Sequence, residues 1–453
     1  MKRILSVCLF FAILRTVVAA PARDQPNFIF VITDDQRWDA MGMVQREQGQ
    51  RARFPWFESP AMDRLAAEGV RFRNAFVTLS LCSPSRAAFL TGQYSHQNGV
   101  RTNGRSLPLT AVTHATQLRS AGYQTAYVGK WHMRDQRDRP GFDYAASFVG
   151  QGVYQDCTFV INDETTPTKG WVDDVSTTLA IDWLKSHRDK PFSLVLGFKS
   201  PHNRRGGDNL PPRLRDLYTD KTSRAVPNIK TPAIFHQHNS AEVREPHRFV
   251  ENSVHLDYLR HIKGIDENLG RLLDALDKWD LAQNTVVVFT SDNGYFLGEH
   301  NLGDKRALYE ESLRIPMLVR YPPLFKAGLV VDEMVLNVDL APTFLDLAGL
   351  PLPEFIQGRS WKPLAVGLAP DDWRTSFVAH YYKELGDTPT CVALRTAKEK
   401  LVVYPRHPEW TEVFNLETDP YEIHNLAADI ERRDALASQL HEQMQALGLS
   451  MPL

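Results

Sequence analysis

The sequence predicts an α/β fold: a large, mostly parallel sheet flanked by helices, followed by a smaller C-terminal antiparallel sheet with one helix. Three observations support this prediction. Short apolar runs rich in β-branched residues, typical of buried parallel strands, alternate with stretches of helical period. Polar residues directly follow several of these runs. The last quarter of the 453 residues instead contains closely spaced strand-like runs and a long helical stretch, which indicates a separate small layer.

The predicted elements follow one another along the chain. A strand at 27–33 ends in two aspartates, and a helix begins at Ser59-Pro60 and stops at Gly69. Further strands are predicted at 125–128, 192–198 and 285–290, with helices at 175–184 and 258–276. The segment 201–246, rich in proline, arginine, asparagine and histidine, is predicted to be a long surface excursion. The C-terminal part has predicted strands at 377–382, 392–396, 400–404 and 412–416 and a helix at 429–447.

The first twenty residues have the pattern of a signal peptide. A short positively charged start precedes an apolar run that ends in Ala19 and Ala20. We therefore expect cleavage after residue 20 and export to the periplasm or the extracellular space. Arg15 within the run and Pro21 after it leave an N-terminal helix as the alternative. No later apolar run is long enough to cross a bilayer, so we expect no integral membrane anchor.

Charge and cysteine content narrow the function classes. The formal net charge of −2 provides no basic field for nucleic acid, and we expect no nucleic-acid partner. An anionic substrate would have to be held by a few local cations. Cys8 lies in the predicted signal peptide, and if Cys82 has a chemical role, only Cys157 and Cys391 could pair. The sequence leaves that pairing open.

The most specific motif is Cys82-Ser83-Pro84-Ser85-Arg86, followed by Thr91-Gly92. A Cys-x-Pro-Ser-Arg string arises by chance in roughly one chain in a thousand of this length, which makes an ordinary buried cysteine before a proline turn the weaker interpretation. The chain resembles the type I sulfatases of the alkaline-phosphatase superfamily over nearly its whole length. This resemblance implies an alkaline-phosphatase-like fold and oxidation of Cys82 to formylglycine (3-oxoalanine) by a separate maturation enzyme.

The reaction explains why such a site uses a modified cysteine. A serine or cysteine nucleophile leaves a covalent ester that must then be hydrolysed. A hydrated aldehyde carries two hydroxyls on one carbon: one attacks sulfur, and deprotonation of the other then ejects sulfate. Arg86 lies one helical turn beyond Cys82 if Ser83 begins a helix, where it would hold the turn and the developing negative charge. The alternative is a surface arginine.

Two acidic segments follow predicted strands. Asp34-Asp35 comes after 27–33, and Asp292-Asn293-Gly294 after 285–290. Ligands of open α/β sheets bind at the carboxyl ends of strands, and adjacent carboxylates repel unless a cation lies between them. The resemblance implies one Ca²⁺ ion, whose ligands are Asp34, Asp35, Asp292, Asn293 and the modified Cys82. Oxygen ligands alone would also allow Mg²⁺, and each segment alone is typical of a turn.

Further family motifs imply the remaining catalytic residues. In Gly129-Lys130-Trp131-His132, Lys130 would bind a sulfate oxygen and His132 would act as a base. His202, in Ser200-Pro201-His202, would protonate the leaving oxygen, and Lys305 would bind the same bridging region. Each motif alone is also compatible with a polar loop. The histidines expected to be structural or solvated are His96, His114, His255, His261 and His300.

These residues together predict a calcium-dependent sulfuric ester hydrolase. Residues 141–144 and 150–154 resemble bacterial carbohydrate sulfatases such as N-acetylglucosamine-6-sulfatases, which favours a sulfated saccharide as substrate. The alternatives are a broad-specificity arylsulfatase, a phosphonate or phosphate monoester hydrolase, and a catalytically silent glycan-binding relative. We expect a catalytic domain at 24–355 and a subdomain at 356–453. The sequence leaves open the sugar, the sulfated position, endo or exo action and the oligomeric state.

Overall fold

The computed structural model describes residues 25–134, 138–202, 207–238 and 248–450. The predicted signal peptide at 1–20 lies outside these residues, as do parts of the predicted excursion at 201–246. No helix in the described ranges combines the length and apolarity needed to cross a bilayer.

The strands of the described residues are β1 (Asn27–Thr33), β2 (Val70–Phe72), β3 (Ala75–Phe76), β4 (Gln124–Lys130), β5 (Tyr144–Phe148), β6 (Thr158–Ile161), β7 (Glu164–Pro167), β8 (Phe192–Gly197), β9 (Thr285–Ser291), β10 (Phe296–Leu297), β11 (Gly303–Asp304), β12 (Arg314–Ile315), β13 (Met317–Arg320), β14 (Leu329–Val331), β15 (Val335–Leu336), β16 (Ser376–Tyr381), β17 (Cys391–Thr396), β18 (Glu399–Val403) and β19 (Glu412–Asn415). The α-helices are α1 (Gly42–Gln48), α2 (Pro60–Ala67), α3 (Cys82–Thr91), α4 (Ser95–Asn98), α5 (His114–Ser120), α6 (Val172–His187), α7 (Pro212–Arg215), α8 (Ile234–His238), α9 (Asn252–Lys278), α10 (Glu310–Leu313), α11 (Leu340–Leu347), α12 (Lys362–Ala365) and α13 (Ile430–Ala446).

The main sheet has ten strands in the order β14-β2-β13-β9-β1-β8-β4-β5-β6-β7. Its centre, from β9 to β5, is parallel, whereas β13, β6 and β7 pair antiparallel with their neighbours. β1 lies in the middle, where Ile29 is opposite Leu194 on one side and Val287 on the other. The carboxyl ends of β1, β4, β8 and β9 therefore meet at one edge of the sheet.

The alternation of side chains along β1 explains the layered packing. Phe28, Phe30 and Ile32 point into one hydrophobic core, which also contains Phe89 of α3 and Phe344 of α11. The intervening Ile29 and Val31 belong to a core on the other face, formed with α2, α6 and α9. Because β1 buries both of its faces, its sequence is continuously apolar, as expected of a central parallel strand.

The C-terminal part forms a separate antiparallel sheet in the order β16-β17-β18-β19. α13 covers one of its faces, packing Leu436, Leu440 and Met444 against apolar residues such as Val378 and Leu401. The predicted α/β class, with a large mostly parallel sheet and a small antiparallel sheet plus helix, is confirmed.

The structure adds elements that the sequence analysis did not predict. These include the outer strands of the main sheet, β2, β13 and β14 on one side and β5, β6 and β7 on the other. The helix after the cysteine motif begins at Cys82 itself, one residue earlier than considered. Among the described residues, Cys82, Cys157 and Cys391 are buried and unbridged.

Candidate active site

The predicted site residues meet at the carboxyl edge of the main sheet. The Asp34 N–H donates to the Ser200 carbonyl at 3.0 Å, and the Asp292 N–H donates to the Thr33 carbonyl at 3.0 Å. These bonds continue the parallel pairing beyond the strand ends and place the acidic segments side by side. The structure brings together all the residues predicted from the sequence, namely Asp34, Asp35, Cys82, Arg86, Lys130, His132, His202, Asp292, Asn293 and Lys305.

Cys82 is the first residue of α3 and is completely buried. Its Sγ lies 3.5 Å from Oδ1 of Asp34. The next residue fixes the start of the helix, because the Ser83 N–H donates to Oδ1 of Asn103 at 3.0 Å and its Oγ donates to the His132 carbonyl at 2.5 Å. Burial raises the pKa of the Cys82 thiol well above its usual value. The unmodified cysteine is therefore a neutral thiol and a poor nucleophile.

Three buried carboxylates face one another beside this thiol. Asp34, Asp35 and Asp292 each offer an oxygen, and these oxygens lie within 4.8 Å of one another. Burial and the like charge of Asp34 raise the pKa of Asp35 to about 6 and that of Asp292 to about 7. Burial also opposes ionisation of Asp34, but neighbouring positive charges, Lys130 foremost, outweigh it and hold its pKa well below the usual range.

Two oxygen atoms in this cluster have no hydrogen-bond donor among the described residues: Oδ2 of Asp35 and Oδ1 of Asn293. Nδ2 of Asn293 donates to Oδ1 of Asp35 at 2.7 Å, and this bond fixes the orientation of the amide. A buried acceptor without a donor is costly in a folded protein. Together with the carboxylates, these atoms form an all-oxygen donor set suited to a hard divalent cation.

Three cations balance the carboxylates. Arg86 donates from Nε to Oδ2 of Asp292 at 2.9 Å. Lys305 donates to Oδ1 of Asp35 at 2.5 Å, and Lys130 forms an ion pair with Asp34. All three cations are buried. Three positive charges opposite three carboxylates leave no net charge at the cluster itself, so an added divalent cation would make it attractive to an anion.

Both predicted catalytic histidines border the cluster. His202 lies with Nε2 3.9 Å from Oδ2 of Asp35 and retains some exposure to solvent. His132 is almost buried, and its Nδ1 has no partner among the described residues. Burial, reinforced by the charge of Lys130, lowers the pKa of His132 to about 2, and burial also lowers that of His202 well below its usual value. Burial of this kind favours the neutral form of both rings.

Gln151 is a site residue that the sequence analysis did not identify. Its Oε1 accepts from Nζ of Lys130 at 2.7 Å, and its Nε2 lies 2.8 Å from Nε2 of His132. An ammonium group can only donate, so the lysine fixes the orientation of the amide. Nε2 of His132 must then accept, which places the ring proton of the neutral histidine on Nδ1. The glycines on either side of Gln151 were the available sequence signal, since Gly150 and Gly152 have φ values of 59° and 60°.

Local backbone geometry explains two further features of the motifs. Asp35 and His132 have φ values of 74° and 61°, rare for residues with a Cβ and typical of functional sites. Gly129, with φ of 90°, lies against the neighbouring strand so closely that a Cβ would collide with the Gly197 carbonyl oxygen. Glycine is therefore required at position 129, just before Lys130 at the end of β4.

The histidines predicted to be structural pack within the protein. His255 and His300 are buried, and His300 stacks on Tyr309 with ring centroids 3.9 Å apart. Nδ1 of His261 lies 3.2 Å from Oγ of Ser200. His261 thus supports the turn that carries His202.

The fold and this buried charged cluster define an α/β enzyme of the alkaline-phosphatase-like class. The sulfatase family model matches residues 26–350, and a model described as N-sulphoglucosamine sulphohydrolase, C-terminal, matches residues 298–449. The chain belongs to the sulfatase family and is a sulfuric ester hydrolase.

Several relatives cover most of the chain. An N-acetylglucosamine-6-O-sulfatase of Bacteroides thetaiotaomicron is 32% identical over 93% of this chain and 86% of its own length. An ulvan-active sulfatase of Formosa agariphila is 28% identical over 96% of this chain and 84% of its own length. A structure solved with its substrate D-glucosamine-2-N,6-O-disulfate superposes with a TM-score of 0.83 at 30% identity, covering 94% of this chain and 98% of that one. A phosphonate monoester hydrolase of Agrobacterium radiobacter shares the fold, with a TM-score of 0.75 at 21% identity over 93% of this chain and 96% of that one.

Proposed function

We propose that this enzyme removes sulfate from a sulfated carbohydrate, using a formylglycine formed from Cys82 and one bound Ca²⁺ ion. The observation that carries the proposal is the position of Cys82. Its buried side chain lies at the start of α3, 3.5 Å from Asp34, within a cluster of three carboxylates, two lysines and one arginine. This arrangement suits an anionic ester held against a divalent cation and a nucleophile.

The donor set fits the calcium ion. Asp34, Asp35, Asp292 and Asn293 would hold it, together with the modified side chain of Cys82. Support comes from the buried, unpartnered oxygens of Asp35 and Asn293 and from the close approach of the three carboxylates. When bound, the ion would supply positive charge to the ester oxygens, and the formylglycine would supply the nucleophilic oxygen. Oxygen-only ligands agree with calcium.

The protein's own cations would bind the ester. Lys130 forms an ion pair with Asp34, and Lys305 forms one with Asp35. Their ammonium groups would contact the sulfate oxygens and the bridging oxygen as point charges. Arg86 would act indirectly, since its guanidinium donates hydrogen bonds to Asp292 and to the Lys130 carbonyl.

The histidines would move protons. Nε2 of His132 is a hydrogen-bond acceptor in this structure, which suits it to take a proton from the nucleophilic group. His202 would supply a proton to the leaving oxygen. Burial lowers the pKa of His202, and an anionic ester beside the ring would oppose that shift. Proton uptake by His202 would thus be tied to substrate binding.

The substrate class rests on the relatives. One acts on N-acetylglucosamine 6-O-sulfate by its name, and one structure contains a sulfated glucosamine as its substrate. These relatives favour a carbohydrate over an aryl sulfate for this chain. The likeness to a phosphonate monoester hydrolase concerns the fold alone.

The same interpretation leads to proposals for the domain boundaries and for the cellular location of the protein. Residues 24–355 would form the catalytic domain and residues 356–453 a C-terminal subdomain. Residues 1–20 would direct export to the periplasm or the extracellular space, where the sulfated saccharide would be met, and a formylglycine-generating enzyme would be the maturation partner. Cell fractionation of the full chain and of a chain lacking residues 1–20 tests the location, since only the full chain should be exported.

The first experiment is mass spectrometry of the peptide across Cys82, paired with sulfate release from sulfated monosaccharides, an aryl sulfate and a phosphonate ester. Formylglycine at position 82 with release from a saccharide supports the proposal. Turnover of the aryl sulfate with no saccharide cleaved would favour a broad arylsulfatase. Faster turnover of the phosphonate would favour that rival class. Formylglycine with saccharide binding but no turnover would indicate the silent relative.

A further inference from the structure

A cavity separate from the candidate active site lies between the main sheet and the C-terminal part of the protein. Its volume of about 380 Å³ falls within the range of small-molecule sites. Its lining combines segments after β1 and β2, the region of α10 and β12, and parts of the C-terminal sheet. The candidate active-site residues are not among its lining residues in the described structure. The residues that carry the argument are Trp38, Arg51, Arg73, Arg314, Arg395 and Tyr421.

The cavity wall is positively charged although the whole chain is slightly acidic. Four arginines line it but only two carboxylates, and both carboxylates are already paired. Glu47 binds Arg73 at 2.7 Å, and Glu310 binds Arg395 at 3.1 Å. Among the described residues, no carboxylate lies within ion-pair distance of the other two guanidinium groups, those of Arg51 and Arg314. Two arginines without a direct ion-pair partner thus face one cavity, with Glu310 near enough to Arg314 to interact with its charge.

Arg314 is held in position before any ligand arrives. Its guanidinium lies over the ring of Trp38, 3.9 Å from the centroid, and its Nε and Nη2 donate to the Arg73 carbonyl at 3.0 and 2.5 Å. Its Nη1 makes no hydrogen bond within the described part of the chain. Burial lowers the pKa of Arg314 to about 10, although the negative charge of the nearby Glu310 opposes this shift. A planar donor fixed in this way suits an oxyanion.

An adjoining space has more carboxylates than arginines in its lining. A smaller space of about 60 Å³ shares Trp38, Arg51 and Tyr421 with the outer cavity and is also lined by Glu311. Glu311 is 8% exposed, and its Oε2 has no hydrogen-bond partner among the described residues. The two adjoining spaces therefore offer the fixed guanidinium of Arg314, the exposed guanidinium of Arg51, half-buried aromatic walls and the unpartnered acceptor of Glu311.

We propose that this cavity is a second, non-catalytic binding site for a saccharide that carries a sulfate or carboxylate group. Arg51 and Arg314 bind the oxyanion, the aromatic edges of Trp38 and Tyr421 contact the sugar ring, and Oε2 of Glu311 accepts from a sugar hydroxyl. A hydroxyl-bearing ring is needed to use both ends of the cavity, because a small inorganic anion reaches only the cations. The site does not require Cys82 and so goes beyond the proposed hydrolysis.

The test is calorimetric titration of the full-length Cys82→Ala protein, which cannot be matured or turn over substrate. The probes are N-acetylglucosamine 6-sulfate, glucuronate, uncharged N-acetylglucosamine and inorganic sulfate. We expect one charged sugar to fill a site in addition to the active site. Arg51→Gln should weaken binding at that additional site about tenfold, since a charge-assisted hydrogen bond is lost. Comparison of the two charged sugars decides between sulfate and carboxylate.

The matched control is Arg406→Gln, because Arg406 is exposed and lies outside the cavity. Arg51 is exposed and has no ion pair in the described structure, so its replacement should leave the fold and the turnover of a small aryl sulfate by the matured enzyme unchanged. A single binding site for every probe, equal binding by the Arg51 and Arg406 variants, or equally tight binding of inorganic sulfate or the uncharged sugar would overturn the proposal. Failure of the matured enzyme to release sulfate bears on the proposed function alone.

Discussion

Nε of Arg86 donates to Oδ2 of Asp292 at 2.9 Å, joining two segments that are 206 residues apart in sequence. The same guanidinium donates from Nη1 to the Lys130 carbonyl at 2.7 Å. Arg86 therefore ties the helix that carries Cys82 to the ends of two strands of the main sheet. Both partners of the ion pair are almost completely buried. Each of these two buried charges therefore depends on the other for compensation.

Replacing Arg86 by glutamine should destabilise the protein by about 3 kcal/mol, because Asp292 would remain buried without its cation. Asp292→Asn should be destabilising for the converse reason. The double variant should lose less free energy of unfolding than the sum of the single variants, since neither charge is then left alone. Chemical denaturation of all four proteins measures this coupling. Additive losses would mean that the ion pair does not connect the two segments.

Removing the metal should abolish sulfate release by the matured enzyme, and added Ca²⁺ should restore it more effectively than Mg²⁺ at equal concentration. At a calcium concentration one hundred times Kd, binding should stabilise the folded state by about 2.7 kcal/mol. Asn293→Ala removes one unpartnered oxygen and should raise the concentration needed for half-maximal stabilisation. Asn284→Ala, just before β9 and so at the opposite end of that strand from Asp292, is the control. A melting temperature insensitive to calcium in both the parent and the Asn293 variant would contradict the proposed ion.

The sequence was sufficient to predict the centre of the fold. β1, β8 and β9 are continuous apolar runs because helices cover both faces of the sheet there, and this burial leaves a clear local pattern. The outer strands β2, β13 and β14 have three or four residues each, too few to show a period. Their identity depends on pairing with distant segments, which a local pattern does not record.

Much of the candidate site was also predictable, because most of its residues belong to local sequence motifs. Asp34, Cys82 and Asp292 belong to compact motifs at strand or helix ends, so residue type and position were both visible in the sequence. Gln151 differs, because its contacts are with Lys130 and His132, 21 and 19 positions away, at the end of β4 and just after it. Its role arises from the parallel pairing of β4 and β5, and β5 was not predicted. Site residues that belong to a local sequence motif can be predicted from the sequence, whereas those brought to the site by the packing of distant segments cannot.

Gln151→Leu should lower kcat/KM for sulfate ester hydrolysis about 10- to 100-fold, because Lys130 and His132 lose the amide that orients them. The fall should include kcat, since we propose that His132 takes a proton during the reaction and does not only bind substrate. Gln155→Leu is the matched control, as its side-chain amide nitrogen has no hydrogen-bond partner among the described residues. Steady-state kinetics of the matured variants, with unfolding curves to show equal stability, makes the comparison. Equal loss of kcat/KM in both variants would indicate a general disturbance of the loop.

Glu412 should make stability depend on pH far from the active site. It is buried, and it accepts hydrogen bonds from Tyr309 at 2.7 Å and Tyr404 at 2.8 Å. Burial outweighs these bonds and raises its pKa from 4.5 to about 7. The folded state therefore binds this proton more tightly than the unfolded chain does. The contribution is fully present below pH 4.5 and is lost as pH rises to about 7.

Glu412→Gln removes this titration while keeping the shape of the side chain, and the tyrosine hydroxyls can reorient to bind the amide. Between pH 4.5 and 7, the parent should lose up to about 3 kcal/mol more unfolding free energy than the variant. Urea denaturation of both proteins across this range measures the difference, and Glu442→Gln at an exposed position is the control. Parallel pH profiles for the parent and the Glu412 variant would show that Glu412 titrates equally in the folded and unfolded states, and hence that the two tyrosine hydrogen bonds offset its burial.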